Sequence, residues 1–381
     1  MDFKLNEEQE AIKKMVSDFT LKEIAPVAAE LDEEERFPKD IIEKLDQLGL
    51  TNLTVPEEYG GPGIDNLSAA VVAEELAGGC AGVSAGVTAS AIALFPVVSA
   101  GSEALKDRYL NEISDHGKLA ALALNEPGAG FNVKALTATY RLEGDSYFLN
   151  GNKSFIINAP NADYLVVFAG SEKEGADKLS VFLVDAGSDG LSAGKPEAKI
   201  GLRAAVTSGI SLKDVMVPVE NLIGQEGEGH KLAEQTSVLT GVYVGAISTG
   251  LARAAMEEAI KFARERVQFG KPIAANQAIQ FMLADMAAGI EAARFLVCRA
   301  AWMLDQGLSC SSEAAIAKLV STESAIRIAT DAVQILGGYG YTKDYPVEKY
   351  MRDAKTLQIY GGIGIIQRSV IAGELLDQAA R

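Results

Sequence analysis

Apolar residues recur at helical spacing towards both ends of the chain and alternate in short runs through its middle. Ile12, Met15, Val16 and Phe19 fall on one helical face, and Asn6 with Gln9 three positions later supplies a capping box ahead of them. Pro38 opens a second helix that turns Ile41, Ile42, Leu45 and Leu48 inward, with Gly49 just past its end. Small residues over 67–100 predict closely packed helices, and helix is expected up to about Lys118. Alternating runs follow at 137–142, 147–149, 153–157, 164–168, 179–185 and 210–217, with turns predicted at Gly144-Asp145 and Asn150-Gly151. Their spacing predicts a sandwich or barrel of about a hundred residues. The chain leaves it through the glycine-rich segment 224–229.

Helical periodicity returns from Lys231, with amphipathic stretches at 250–266, 278–304 and 312–336 that suit a helix bundle. The predicted fold is therefore α+β. An N-terminal helical domain spans 1–118, a middle β-barrel or sandwich domain 119–229, and a C-terminal four-helix bundle 230–381.

With 48% hydrophobic and 23% charged residues, 381 positions are enough for two or three packed domains. No run of 18 or more apolar residues stands out, and the N-terminus has neither a signal core nor an arginine-rich transit pattern. Both features predict a soluble cytoplasmic protein with no membrane attachment. A net charge of −17, spread along the chain, argues against nucleic acid as a partner. Cys80, Cys298 and Cys310 are too few and scattered for a zinc site or disulfide framework and read as small hydrophobes. The two histidines, His116 and His230, each sit in a glycine-bearing polar segment and read as solvated loop residues, so no metal site is expected.

The run from Gln334 to Lys355, with Gly-Gly-Tyr-Gly-Tyr at 337–341, resembles the C-terminal signature of the acyl-CoA dehydrogenases, and the likeness covers nearly the whole chain. The resemblance implies FAD as cofactor and an acyl thioester as substrate, with CoA the expected carrier. It also implies an electron-transferring flavoprotein or similar carrier as partner, and a homo-oligomer, expected as a tetramer. Leu124, Asn125, Gly128 and Gly130 align with the loop that meets the flavin pyrimidine edge, and Phe131 replaces a serine that in relatives faces CoA. Phe155 aligns with the aromatic that covers one flavin face, and Ile157 with the threonine that donates to flavin N5. Arg266, Phe269 and Gln277 align with residues that reach the FAD of a neighbouring subunit, Arg266 at the pyrophosphate and Phe269 at the adenosine. Gln334, Gly337 and Gly338 match the adenosine-side contacts, and Ile363, which replaces a threonine, belongs to the same cofactor-side set.

The segment 359–368 departs from the family. Gly361 stands where most members carry the glutamate that removes the α proton, although its backbone amide still serves to hold the thioester carbonyl. Isovaleryl and long-chain branches place that glutamate on an earlier helix. The matching position falls near Thr240, and no carboxylate occurs between Glu234 and Glu257. Branches acting on cyclic substrates use an aspartate of the N-terminal domain, yet 82–100 holds no acid, with Thr88 and Ser90 its polar residues. Ile363, Gly364 and Ile365 make the pocket floor apolar, which suits a bulky or branched acyl group.

The expected function is FAD-dependent α,β-dehydrogenation of an acyl thioester, or the reverse enoyl reduction. The acid/base would be non-standard: Tyr243, Tyr360, Glu126 or water. Two alternatives fit the same residues: a flavoprotein of this fold with hydroxylase-like chemistry, and a non-catalytic family member.

Overall fold

The computed structural model describes residues 4–115, 117–130 and 132–379; His116 and Phe131 lie outside the described residues. Helix α1 (Glu7–Phe19) starts from the capping box read in the sequence, with Asn6 Oδ1 accepting from the Gln9 amide at 2.8 Å and Gln9 Oε1 from the Asn6 amide at 3.0 Å. After a π turn over Thr20–Ile24 come α2 (Ala28–Glu33) and α3 (Lys39–Gln47), and Gly49 leaves α3 with φ 70°. Helices α4 (Asn66–Gly79), α5 (Ala81–Ala100) and α6 (Glu103–Asp115) complete the N-terminal domain.

The middle of the chain forms β1 (Ala120–Ala123), β2 (Thr139–Glu143), β3 (Ser146–Ile157), β4 (Tyr164–Ser171), β5 (Gly175–Asp185), β6 (Leu191–Ala193), β7 (Thr207–Pro218) and β8 (Leu222–Ile223). They make one sheet in the order β6-β7-β3-β2-β4-β5-β8, with β1 parallel to β4. The middle β domain is present as expected, but it does not close as a barrel: the terminal strands β6 and β8 are three and two residues long and do not pair, so the sheet stays open. Both faces are covered nonetheless. Val166 and Phe168 of β4 join a core with Leu105 and Tyr109 of α6, whereas Leu165 and Val167 face Tyr140, Tyr147 and Phe182.

The turn predicted at Asn150-Gly151 is a bulge inside β3. Pairing with β7 slips between Leu149 and Gly151, and Gly151 takes φ 141° with Ala138 so near that a Cβ would lie 2.6 Å from its Cβ. Gly144 does turn the chain, at φ 62°, between the paired Glu143 and Ser146.

The C-terminal domain packs α7 (Gly229–Glu265), α8 (Gln277–Asp305) and α9 (Ser311–Leu336) together, with α10 (Val347–Leu357) and α11 (Gly364–Ala379) against α9. A short hairpin, β9 (Val267–Gln268) with β10 (Lys271–Pro272), joins α7 to α8. Helices α5 and α7 are long and apolar enough to cross a bilayer, but 89% of each apolar window is buried within the protein, as in core helices. Helix α4 also packs on α7, so closely that a Cβ on Gly250 would stand 2.0 Å from the Glu74 carbonyl oxygen. That contact locks the N-terminal domain to the bundle.

Candidate active site

A cavity of about 480 Å³ opens between the loop after β1, the end of β3, the first half of α7 and the turn that joins α10 to α11. The structure brings together here Leu124, Asn125 and Gly130 from the loop, Phe155 and Ile157 from β3, and Tyr360 and Gly361 from the turn. The Ser154 amide donates to the Asn125 carbonyl at 2.9 Å and so ties the loop to the strand. Phe155 is 66% exposed and held at φ 56°, an uncommon backbone for an aromatic residue. Gly128 and Gly130 have positive φ and open space where a Cβ would stand, so the loop backbone is accessible from outside. An exposed aromatic face beside an open backbone edge and an apolar wall fits the ring of a flavin.

The floor of the cavity is built from Gly361 and Gly362, at φ 68° and φ 100°. A Cβ on Gly361 would meet Thr240 Cγ2, and the Thr240 hydroxyl is already spent on the Thr236 carbonyl at 2.7 Å. The two positions at which a carboxylate is expected thus face one spot, and neither carries one. The amides of Gly361 and Gly362 donate to no protein acceptor among the described residues, which leaves them free for a ligand.

The other candidate acid/base groups separate in the structure. Tyr360 is half-buried at the cavity wall, and burial pushes its phenol up, so it stays protonated at neutral pH. Tyr243 does not line the cavity, whose α7 wall ends at Thr240. It lies fully buried in the bundle core, and its hydroxyl has no hydrogen-bond partner among the described residues. Glu126 is likewise corrected: it is buried against Lys153 Nζ at 2.7 Å and accepts from the Thr137 amide, the Thr137 hydroxyl and the Ala138 amide. That carboxylate braces the 124–138 loop, and its lone pairs are taken. His230 sits in the first turn of α7, where Nε2 lies 2.7 Å from the Ala176 carbonyl, so it is a bridge to the β domain rather than a solvated loop residue.

Ile363, Gly364 and Ile365, expected at the pocket floor, do not line the cavity, and the Ile363 carbonyl accepts from the Ile366 and Gln367 amides and so starts α11. Three residues passed over in the sequence matter here. Glu234 is the only acidic residue among the cavity-lining residues described, exposed on α7. Gln367 and Lys318 are buried behind the floor and donate to its carbonyls. No local pattern marks them, because their partners are backbone atoms.

A second group of predicted residues gathers away from the cavity, where the end of α7, the start of α8 and the end of α9 meet. Arg266 and Gly338 line a hollow with Phe262 and Tyr339, and the guanidinium lies 5.5 Å from the Tyr339 ring centre. Phe269 is 100% exposed at φ 51° on the hairpin, and Gln277, Gln334 and Gly337 are exposed nearby.

Residues 6–116, 121–215 and 227–376 match the N-terminal, middle and C-terminal domains of acyl-CoA dehydrogenase. The chain belongs to the acyl-CoA dehydrogenase family. Among its relatives, the short-chain specific acyl-CoA dehydrogenase of Clostridium acetobutylicum is 41% identical over 98% of this chain and 100% of its own length. The 3-(aryl)acrylate reductase of Clostridium sporogenes is also 41% identical, over 97% of this chain and 99% of its own. The solved butyryl-CoA dehydrogenase of Megasphaera elsdenii superposes with a TM-score of 0.96 at 40% identity, covering 99% of this chain and 100% of that one. This family member is thus similar over its full length both to proteins named for dehydrogenation and to one named for reduction.

Proposed function

We propose that this protein is an FAD-dependent oxidoreductase of acyl thioesters that works as an enoyl reductase, with Tyr360 as the proton source. The observation that carries the reading is the cavity in which the exposed Phe155, the free Gly361 amide and the Tyr360 phenol meet without a carboxylate at position 361 or 240. FAD, when bound, supplies the two-electron chemistry, a hydride passing to the β carbon of an unsaturated thioester. Phe155 would cover the ring, Leu124, Asn125 and Gly130 would meet its edge, and Ile157 would make its surroundings apolar. The Gly361 amide holds the thioester carbonyl oxygen and stabilises the charge that develops on it. Tyr360 delivers a proton to the α carbon, and its raised pKa suits a donor and not a base.

Arg266, Phe269, Gln277, Gln334, Gly337 and Gly338 would hold the adenosine and pyrophosphate of a flavin seated in a neighbouring copy, which would make the working unit at least a dimer. The exposure of Phe269, Gln277, Gln334, Gly337 and Gly338, remote from the cavity, supports this assignment. An electron-transferring flavoprotein or similar carrier supplies the electrons, and CoA is the expected thioester carrier. The apolar lining, with Ile92, Leu122, Leu136, Ile366 and Val370, favours bulky, aryl or branched acyl groups, in line with the likeness to an aryl acrylate reductase.

The test is an anaerobic titration of the purified flavoprotein. Dithionite-reduced protein is mixed with cinnamoyl-CoA and crotonyl-CoA, and oxidised protein with their saturated counterparts, while the visible flavin band is followed. Return of the band with an unsaturated thioester, faster than bleaching by the saturated one, is the expected result. No return with any thioester would overturn the reading.

A further inference from the structure

The cavity floor is a glycine turn with little rigidity of its own, since two consecutive residues at positive φ have wide conformational freedom. Its carbonyls are gripped from behind. Gln367 Nε2 donates to the Gly361 and Gly362 carbonyls, each at 3.3 Å. Lys318 of α9, 1% exposed, donates from Nζ to the Gln358 carbonyl at 3.3 Å and to the Gly362 carbonyl.

Lys318 forms no ion pair among the described residues. A buried ammonium without a carboxylate is unfavourable, and burial pulls its pKa down to about 8. Its surroundings replace the missing anion with carbonyl dipoles, all of them from the stretch that carries Gly361. In a trans peptide the carbonyl and the following N–H point in opposite directions. Fixing the peptide planes after Gln358, Gly361 and Gly362 from the bundle side therefore restrains the segment on both sides of the Gly361 amide and turns the Gly362 N–H away from Gln367.

We propose that Lys318 is a positioning residue for the reaction: its grip on the Gln358 and Gly362 carbonyls preorganises the Gly361 amide as the hydrogen-bond donor to the thioester carbonyl. The inference rests on the role given to Gly361 under the proposed function. It adds the group that holds that amide in place.

The experiment uses the flavin-loaded protein and 4-(dimethylamino)cinnamoyl-CoA, a chromophore whose absorption band moves to the red when its thioester carbonyl is polarised. Wild type is expected to shift the band. Lys318→Met is expected to keep flavin and bind the probe with most of that shift lost. Its kcat for enoyl reduction should fall about 10–100-fold with KM little changed, because a displaced amide costs the transition state more than ground-state binding. Lys318→Arg, which keeps a charged donor, is expected to recover part of the shift. A Met variant with the wild-type shift and kcat would overturn the proposal. If Lys318→Met does not fold, Gln367→Leu decides, since it loosens the same turn: a reduced shift supports the pinning of the amide and an unchanged one refutes it. A wild-type protein that leaves the probe's band unmoved removes the role of Gly361 itself, and the inference with it.

Discussion

A Cβ on Gly361 would stand 2.7 Å from Cγ2 of Thr240. Position 361 lies on the turn before α11 and position 240 on α7, so two places far apart in the chain compete for one volume beside the substrate. A glutamate can occupy either only if the other is small. This chain places glycine and threonine there, which closes the usual site for a base and leaves its volume to the substrate or to Thr240.

Gly361→Glu alone is therefore expected to destabilise the protein without creating a dehydrogenase. The left-handed backbone at φ 68° and the collision with Thr240 cost about 1–3 kcal/mol each. Adding Thr240→Ala removes Cγ2 while keeping a good helix former on α7. The double variant should melt at a higher temperature than Gly361→Glu and should gain oxidation of saturated straight-chain acyl-CoA of about 10²–10⁴-fold over wild type. Thermal melts and turnover with an artificial electron acceptor check both parts. Equal melting temperatures for the single and double variants would show that the contact is not limiting.

Tyr360→Phe removes the proposed proton donor and leaves the turn backbone as it is. Enoyl reduction is expected to slow about 10²-fold, at the low end of general acid catalysis because water can substitute. The flavin spectrum and thioester binding should stay unchanged. Stopped-flow reoxidation of the reduced protein by cinnamoyl-CoA measures this, and a rate within twofold of wild type assigns the proton to another donor.

The helices were legible in the sequence wherever one face was polar: the capping box at Asn6 and the stop at Gly49 both hold. The first half of α7 was legible as helix from Lys231 but not as an amphipathic stretch, because it is buried on nearly every side, from Leu239 to Ala252, and has no polar face to read. Strands β4 and β5 were read as part of the alternating series, although the structure covers both of their faces, whereas β1 and β6 are too short to announce themselves. For Asn150-Gly151 the local turn preference is overridden by long-range pairing with β7. Motif positions placed Leu124, Asn125, Gly130, Phe155, Ile157, Tyr360 and Gly361 in one cavity, but could not show that Tyr243 turns into the core or that Glu126 is consumed by Lys153. Those outcomes depend on which face of a helix or loop is covered, and that is settled by the tertiary fold.

Asp353 of α10 joins two domains. Its Oδ1 accepts from the Leu202 amide at 2.6 Å, and its Oδ2 from Lys349 Nζ at 2.6 Å, all three residues being buried. Beside it, Arg352 reaches Asp32 and the Ile200 carbonyl. Asp353→Asn leaves the Lys349 ammonium without its counter-charge and is expected to cost about 3–5 kcal/mol. Urea unfolding with coupled fluorescence and circular dichroism reads the change. A loss under about 1 kcal/mol would mean that water reaches Lys349 in the variant.

Glu126 makes an acid-side prediction. Burial by itself would raise its carboxyl, but the Lys153 ammonium and the hydrogen bonds from Thr137 outweigh that and hold it below the usual carboxylate range. The unfolded chain thus binds this proton at a higher pH than the folded one. The contribution to stability is full above the ordinary glutamate value and is lost as pH falls through the depressed folded value. Glu126→Gln abolishes that dependence and leaves Lys153 buried and unpaired, so the variant should be less stable at pH 7 and should show a flatter decline in melting temperature between pH 5 and pH 3. Because the pair braces the 124–138 loop, flavin content should drop as well, and lowering the pH of wild type should release flavin over the same interval. Melting temperature and bound flavin, recorded together across that range for both proteins, provide the check. Parallel pH profiles for wild type and variant would exclude Glu126 as the titrating group.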